Sequence, residues 1–186
     1  MQPSCKVAHR QRGTSLIEMM IAILVLAVGL VGSMALASVA LSTNTRNRQS
    51  STSAAVAEMV IGQISTIPMG GSVSSVTVTD CAGNSSTINT SGTSGGSGAT
   101  LTSTGKVDYA QGFSSVTSGY AMRYAVCDVT NSITATYDVR WNIKKLPSSK
   151  AEYVVVAAQF ANTEGGSAQI NAGAVNLRTV VGNDGN

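Results

Sequence analysis

The longest apolar stretch of the chain runs from Met19 to Leu41 without a charged residue. Only Ser33 and Ser38 interrupt its apolar and small residues, so it lacks the polar stripe of a core helix in a soluble domain. As an α-helix it would be about 34 Å long, which exceeds the roughly 30 Å hydrocarbon core of a bilayer. The pattern predicts a membrane-crossing helix.

Helical periodicity continues beyond this stretch, which predicts one helix over residues 14–67, about 80 Å long. The part over residues 43–67 is amphipathic, and its apolar positions recur at a spacing of three and four residues: Val56, Met59, Val60, Ile64 and Ile67. Pro68, followed by Gly70, is expected to end the helix. An apolar stripe outside a membrane needs a cover, and we expect this cover to be a β-sheet.

The rest of the chain alternates between apolar and polar residues, most clearly from Ile133 to Ile143. The intervening polar residues predict that one face of this strand meets water: Thr134, Thr136, Asp138, Arg140 and Asn142. Pro147 should begin a turn that leads to an antiparallel partner strand over residues 152–161. Further strands are predicted over 73–79, 121–129 and 168–181. The predicted fold class is α+β, with a long N-terminal α-helix packed on a C-terminal antiparallel β-sheet.

Residues 82–104 consist almost wholly of Ala, Gly, Asn, Ser and Thr. This composition predicts a flexible loop that contributes no core. Cys81 and Cys127 flank the loop, and in an oxidising compartment they would form an even pair. A disulfide there would close a loop of about 45 residues and contribute about 4 kcal/mol in the chain-entropy model. The alternative is two free thiols.

The net charge of +3 comes from the amino-terminal end of the chain. Of the 12 basic residues, Lys6, Arg10 and Arg12 precede Gly13, while all 9 acidic residues follow it. The remainder is therefore neutral and has no basic stripe, which argues against nucleic acid as a partner.

The residue types needed for catalysis are scarce. His9 is the only histidine and lies in the basic segment, so the rest of the chain cannot use histidine as an acid, a base or a metal ligand. No phosphate-binding loop, C-x-x-C pair or calcium-loop spacing occurs. We expect no catalytic residues, no metal site and no cofactor, and hence a protein that is not an enzyme.

The amino-terminal segment allows three interpretations. It could be a simple single-span anchor, or a secretory signal peptide cut after the small-residue pattern Ala35-Leu36-Ala37. Neither explains Glu18, because a carboxylate at the mouth of an apolar stretch helps neither insertion nor orientation.

The third interpretation rests on the segment Arg12-Gly-Thr-Ser-Leu-Ile-Glu18, which resembles the type III signal of type IV pilins and of type II secretion pseudopilins. In that family a prepilin peptidase cuts after the glycine of a short basic leader, and the new amino terminus is methylated. The resemblance implies a leader over residues 1–13, with cleavage between Gly13 and Thr14, where the family usually has Phe after the cut. It also implies that Glu18 meets the terminal amine of a neighbouring subunit and sets the register of a filament.

Residues 27–35 also resemble the Gly-Leu-x-Gly segment of PilV-type minor pilins, the type IV pilus modification family. This resemblance implies a transmembrane or filament-core helix over residues 14–42, an amphipathic half over 43–67 and a periplasmic β-rich head over 68–186. The implied partners are other major and minor pilins, the prepilin peptidase, the inner-membrane assembly platform and, before assembly, membrane lipid. The implied location is the bacterial inner membrane, and after assembly the pilus at the cell surface.

Three functions remain open at this point. The chain could be a minor pilin that promotes pilus assembly and adhesion, or a pseudopilin of a type II secretion system. It could also be a membrane-anchored, adhesin-like module that binds a surface through residues 82–104. In many major pilins the disulfide encloses the last strands, whereas here it would bracket the variable loop.

Overall fold

The computed structural model describes residues 15–67, 74–147, 151–161 and 173–182. The chain divides into two compact units, one ending at Thr43 and the other beginning at Asn44. The elements in the described ranges are α1 (Leu16–Ser65), β1 (Ser75–Thr79), β2 (Ser85–Asn89), β3 (Ser97–Gly98), β4 (Ala121–Cys127), β5 (Ile133–Lys145), β6 (Ala151–Phe160) and β7 (Val175–Gly182).

Helix α1 confirms the predicted long helix, with 50 residues between Leu16 and Ser65. Pro68 and Gly70, which we expected to end it, lie outside the described residues. In the first unit its large apolar side chains are all exposed, from 52% at Leu30 to 79% at Leu16. By length and composition this stretch is apolar enough to cross a membrane.

In the second unit, which we call the head, α1 buries one face. The buried residues are Ser53, Val56, Ala57, Val60 and Ile64, spaced by three and four residues as the amphipathic pattern predicts. The four apolar residues of this set belong to one hydrophobic core with side chains of the sheet, including Val139, Trp141 and Val154. Each fully buried aliphatic side chain contributes about 1.5–3 kcal/mol, so this helix face and the sheet stabilise each other.

The main sheet is antiparallel and runs in the order β3-β5-β6-β7, with β4 also paired to β5. Strands β5 and β6 form the predicted hairpin, with pairs from Tyr137↔Phe160 to Lys145↔Glu152. Strand β7 pairs with the other side of β6. The strand predicted here begins at residue 168, but residues 168–172 lie outside the described ranges. The same holds for Val73, before β1, and for residues 148–150 of the predicted turn.

The prediction that residues 82–104 contribute no core is wrong. The segment contains β2, which pairs with β1, and β3, which pairs with β5. Ile88 and Ala99 are completely buried. Small residues here allow the backbone to approach the sheet, since the N–H of Ala99 donates to the carbonyl of Trp141 at 2.9 Å. A Cβ at Gly98 would lie 2.3 Å from that same oxygen, and the φ of +104° also favours glycine.

The predicted water-facing side of β5 is also wrong for its central residues. Asp138, Arg140 and Asn142 are 7%, 4% and 8% exposed. Residues 99–113 cover this face, and the amide of Asn142 donates to the carbonyl of Ala99 at 2.8 Å. The alternation therefore predicts which residues share each face of β5, but the central residues of both faces are buried.

Strand β4 ends at Cys127, two residues earlier than predicted. The residues that follow form a turn in which the side chain of Asp128 accepts hydrogen bonds from the N–H groups of Thr130 and Ser132. Turn formation by this aspartate ends the strand.

Candidate functional site

Glu18 lies in the first turn of α1, where its N–H donates to the carbonyl of Ser15 at 3.0 Å. Its side chain is exposed. The pair Arg140–Asp138 is the ion pair found among the described residues, so Glu18 has no cationic partner within them. The predicted cleavage residues Gly13 and Thr14, and the rest of the leader over residues 1–13, lie outside the described ranges.

The apolar surface that follows Glu18 has no cover within the described chain. Side chains such as Val31 and Leu36 are 70% and 74% exposed. Contiguous apolar surface of this size marks a membrane or protein interface, because leaving it in water is unfavourable. Gly29 and Gly32 have open space around them, so packing within the described chain does not require glycine at either position.

The disulfide between Cys81 and Cys127 joins the β1–β2 hairpin to the end of β4, with the Cα atoms 6.0 Å apart. Asp80 reinforces this junction, since its carboxylate accepts the N–H of Ala125 at 3.1 Å and the N–H of Asn84 at 2.8 Å. Burial alone would raise the pKa of the Asp80 carboxyl, but hydrogen bonds from Asn84, Ala125 and Ala82 outweigh it and lower the pKa. The junction attaches the hairpin to the main sheet at two adjacent points.

A polar cluster holds residues 99–113 on the second face of the sheet. The guanidinium of Arg140 binds both carboxylate oxygens of Asp138, at 2.9 and 2.7 Å, and its carbon lies 4.6 Å from the centre of the Tyr109 ring. The hydrogen bond to Asp138 raises the pKa of Arg140, while burial and then the Asp138 charge raise the pKa of Tyr109. The sequence offered one signal for this cluster, an aspartate and an arginine two residues apart on one strand face. The positive charge of Arg140 and the negative charge of Asp138 neutralise each other within the cluster, and we assign it a structural role.

Glu152 is the other buried carboxylate of interest, at 5% exposure, and one of its oxygens, Oε2, has no hydrogen-bond partner among the described residues. Burial raises its pKa, partly offset by Lys145 and by a hydrogen bond from Gly92. The described part of the chain contains no group of three or more His, Cys, Asp or Glu side chains that could hold a metal.

A cleft of about 320 Å³ lies in the head between the first turns of its helical part and one end of the sheet. Its helix side includes Asn44, Arg48 and Thr52, and its sheet side includes Thr134 and Phe160. The cleft has mixed polar and apolar walls and is open to solvent.

Comparison with known families finds one match: residues 8–34 fit the family described as the prokaryotic N-terminal methylation motif. Neither the curated proteins nor the solved structures contain a match. The matched residues include Gly13, Thr14 and Glu18 and extend into the exposed apolar part of α1. This motif belongs to structural rather than catalytic proteins. The chain has a long apolar helix and an α+β architecture like that of pilins. At residues 8–34 it carries a type IV pilin-like prepilin signal.

Proposed function

We propose that the chain is a minor pilin, which prepilin peptidase cleaves between Gly13 and Thr14 and which then enters a type IV pilus or its tip or priming complex. In this role it promotes pilus assembly and adhesion. The observation that carries the proposal is the methylation motif at residues 8–34, which extends into the exposed apolar first part of a long helix.

The exposed apolar part of α1 supports a role in assembly. A bilayer would cover this surface before assembly, and the corresponding helices of other major and minor pilins would cover it in the filament. The inner-membrane assembly platform would move the subunit from the first environment to the second. Both environments exclude water, so the transfer does not expose the apolar side chains.

Glu18 would set the register of the subunit in the filament. Cleavage after Gly13 creates an α-amino cation at Thr14, and Glu18 has no cationic partner among the described residues. In an apolar filament core an unpaired carboxylate is costly, so Glu18 would pair with the amine of a neighbouring subunit. A subunit placed out of register leaves both charges unpaired.

The disulfide of the head supports the proposal that the head is exported from the cytoplasm. The disulfide Cys81–Cys127 is typical of an oxidising compartment such as the bacterial periplasm. We therefore place the protein in the inner membrane with its head in the periplasm before assembly, and in the pilus at the cell surface afterwards.

Amino-terminal sequencing of the mature protein tests the processing step. We expect it to begin at Thr14, and the variant Gly13→Val to stay uncleaved because the peptidase requires a small residue there. Gly29→Val is the matched control, since it lies in the same motif with open space around it and should be cleaved normally. A mature terminus at Ser38 would instead indicate signal peptidase, and one at Met1 a plain anchor.

Recovery of the protein tests incorporation. We expect the mature chain in pili sheared from cells and purified, in an amount well below that of the major subunit. Recovery only with secretion-system components would contradict the proposal and favour a pseudopilin.

A further inference from the structure

The turn between β4 and β5 exposes two large apolar side chains at one end of the head. Val129 is fully exposed and Ile133 is 57% exposed. Elsewhere among the described residues of the head, Val180 is the remaining exposed large apolar side chain. We call Val129 and Ile133 the apolar tip.

Within the turn that carries the apolar tip, residues 128–132, four of the five backbone N–H groups are paired inside the turn itself. Asp128 Oδ1 accepts the N–H of Thr130 at 2.8 Å and that of Ser132 at 3.0 Å. The N–H of Asp128 donates to the carbonyl of Ser132, and the N–H of Asn131 donates to the carbonyl of Asp128. These internal hydrogen bonds lower the cost of bringing the turn into a poorly hydrated environment.

The apolar tip lies at the end of the head where α1 enters. The strand residues just before and after the turn line the cleft together with the first residues of the head helix: Val126, Thr134 and Ala135 with Asn44, Thr45 and Arg48. Asn44 follows Leu41, the last residue of the apolar stretch, by three residues. The residues around Asn44 therefore stay close to the end of the apolar stretch, whatever the orientation of the two units.

Two cations accompany the apolar tip at this end. Arg46 and Arg48 are exposed and form no ion pair within the described ranges. Guanidinium groups pair with phosphate oxygens in two-point geometry, and phospholipid headgroups present such oxygens at the depth where a membrane helix ends.

We propose that the apolar tip, with Arg46 and Arg48, rests on the phospholipid surface of the membrane that holds α1, until the subunit enters a filament. Val129 and Ile133 would insert among the headgroups and upper acyl chains, and the two arginines would bind lipid phosphates. The proposal rests on the membrane anchoring of the proposed function. It identifies a second lipid contact, made by the head.

The test uses the full chain in vesicles of phosphatidylcholine and phosphatidylglycerol whose acyl chains carry bromine, which quenches tryptophan only at short range. Val129→Trp places a reporter on the tip, where full exposure leaves room for the larger side chain. Ser94→Trp is the matched control, since exposed Ser94 adjoins Thr93, which pairs with Lys144 at the far end of β5, about 36 Å along the strand from Ile133. The parent chain supplies the background from Trp141, which is completely buried.

We expect brominated lipid to quench Val129→Trp strongly and Ser94→Trp little, and aqueous acrylamide to show the opposite order. If the chain floats with the vesicles but Val129→Trp responds to acrylamide and not to bromine, the lipid contact is wrong while the anchoring stands. If Val129→Trp is shielded from both quenchers, another protein copy covers the tip and the proposal is also wrong. A chain that fails to float with vesicles overturns the anchoring itself. A cooperative urea unfolding transition in each variant, like that of the parent chain, shows that the head is folded.

Discussion

Removal of the Cys81–Cys127 disulfide tests how the β1–β2 hairpin is held to the main sheet. The two cysteines are 46 residues apart, and for a loop of this size the chain-entropy model gives about 4 kcal/mol of stabilisation. The effect arises in the unfolded chain, which gains freedom when the link is lost. The hydrogen bonds from Ala125 to Asp80 and from Trp141 to Asn89 remain, so the hairpin stays attached to the main sheet. We expect Cys81→Ser with Cys127→Ser to lower the free energy of unfolding of the head by about 3–4 kcal/mol.

Urea unfolding followed by tryptophan fluorescence measures this loss. Trp141 is the only tryptophan, is completely buried and donates its indole N–H to the carbonyl of Asn89 in β2 at 3.0 Å. Its emission therefore reports both the core and the junction with the hairpin. Reduced wild-type protein is the matched control, because it keeps both cysteine side chains and lacks only the bond.

Agreement between the double variant and the reduced wild type would assign the loss to the covalent link. A loss below about 1 kcal/mol in both would refute the loop-entropy argument, since the unfolded chain would then gain little freedom. Asp80→Asn in the disulfide-free background removes charge from the second attachment point. It should destabilise that background more than it destabilises the oxidised protein, because the two attachments support one junction.

Three further predictions concern single positions. Glu18→Ala should leave leader cleavage intact but prevent recovery of the protein in sheared pili. Glu58→Ala is the matched control, an exposed carboxylate on the same helix, and should be incorporated. Normal incorporation of Glu18→Ala would contradict the proposal that Glu18 sets the register. Gly98→Ala should lower the free energy of unfolding, measured in urea, by at least about 2 kcal/mol, because its Cβ would meet a backbone oxygen of β5. Gly95→Ala is the control, since a Cβ there has open space and should leave the free energy of unfolding nearly unchanged. Burial raises the pKa of Glu152, so the unfolded state loses this proton first. The contribution of the protonated side chain to stability therefore falls as the pH rises above 4.5, the ordinary pKa of a glutamate. The urea midpoint of Glu152→Gln, measured between about pH 4 and 7, should therefore increase relative to the wild-type midpoint as the pH rises. Midpoints that change with pH in the same way in both proteins would contradict this assignment.

Periodic segments were predictable from the sequence because their period reflects which side faces the core. Helix α1 and the β5–β6 hairpin follow directly from such periods. The motif around Gly13 and Glu18 is also local, so a short segment is enough to recognise it.

The errors concern contacts between distant segments. Ala99 is buried through its backbone, which hydrogen bonds to Trp141, and its side chain gives little hydrophobic signal. Asp138 and Arg140 look like surface residues until their partners in residues 99–113 are known. Composition describes side chains one at a time and so could not predict either arrangement.

The order of the elements along the chain has a consequence for the time course of export. If the chain is exported as proposed, with its amino-terminal helix as the anchor, the helix face at Val56–Ile64 is exported early, yet its cover, β5 and β6, ends only at Phe160. At a synthesis rate of 5–20 residues per second, this face waits roughly 5–20 seconds for the sheet. During that interval the apolar face of the nascent head would have no cover within the chain, so a bilayer surface or a chaperone would have to cover it until the last strands are made.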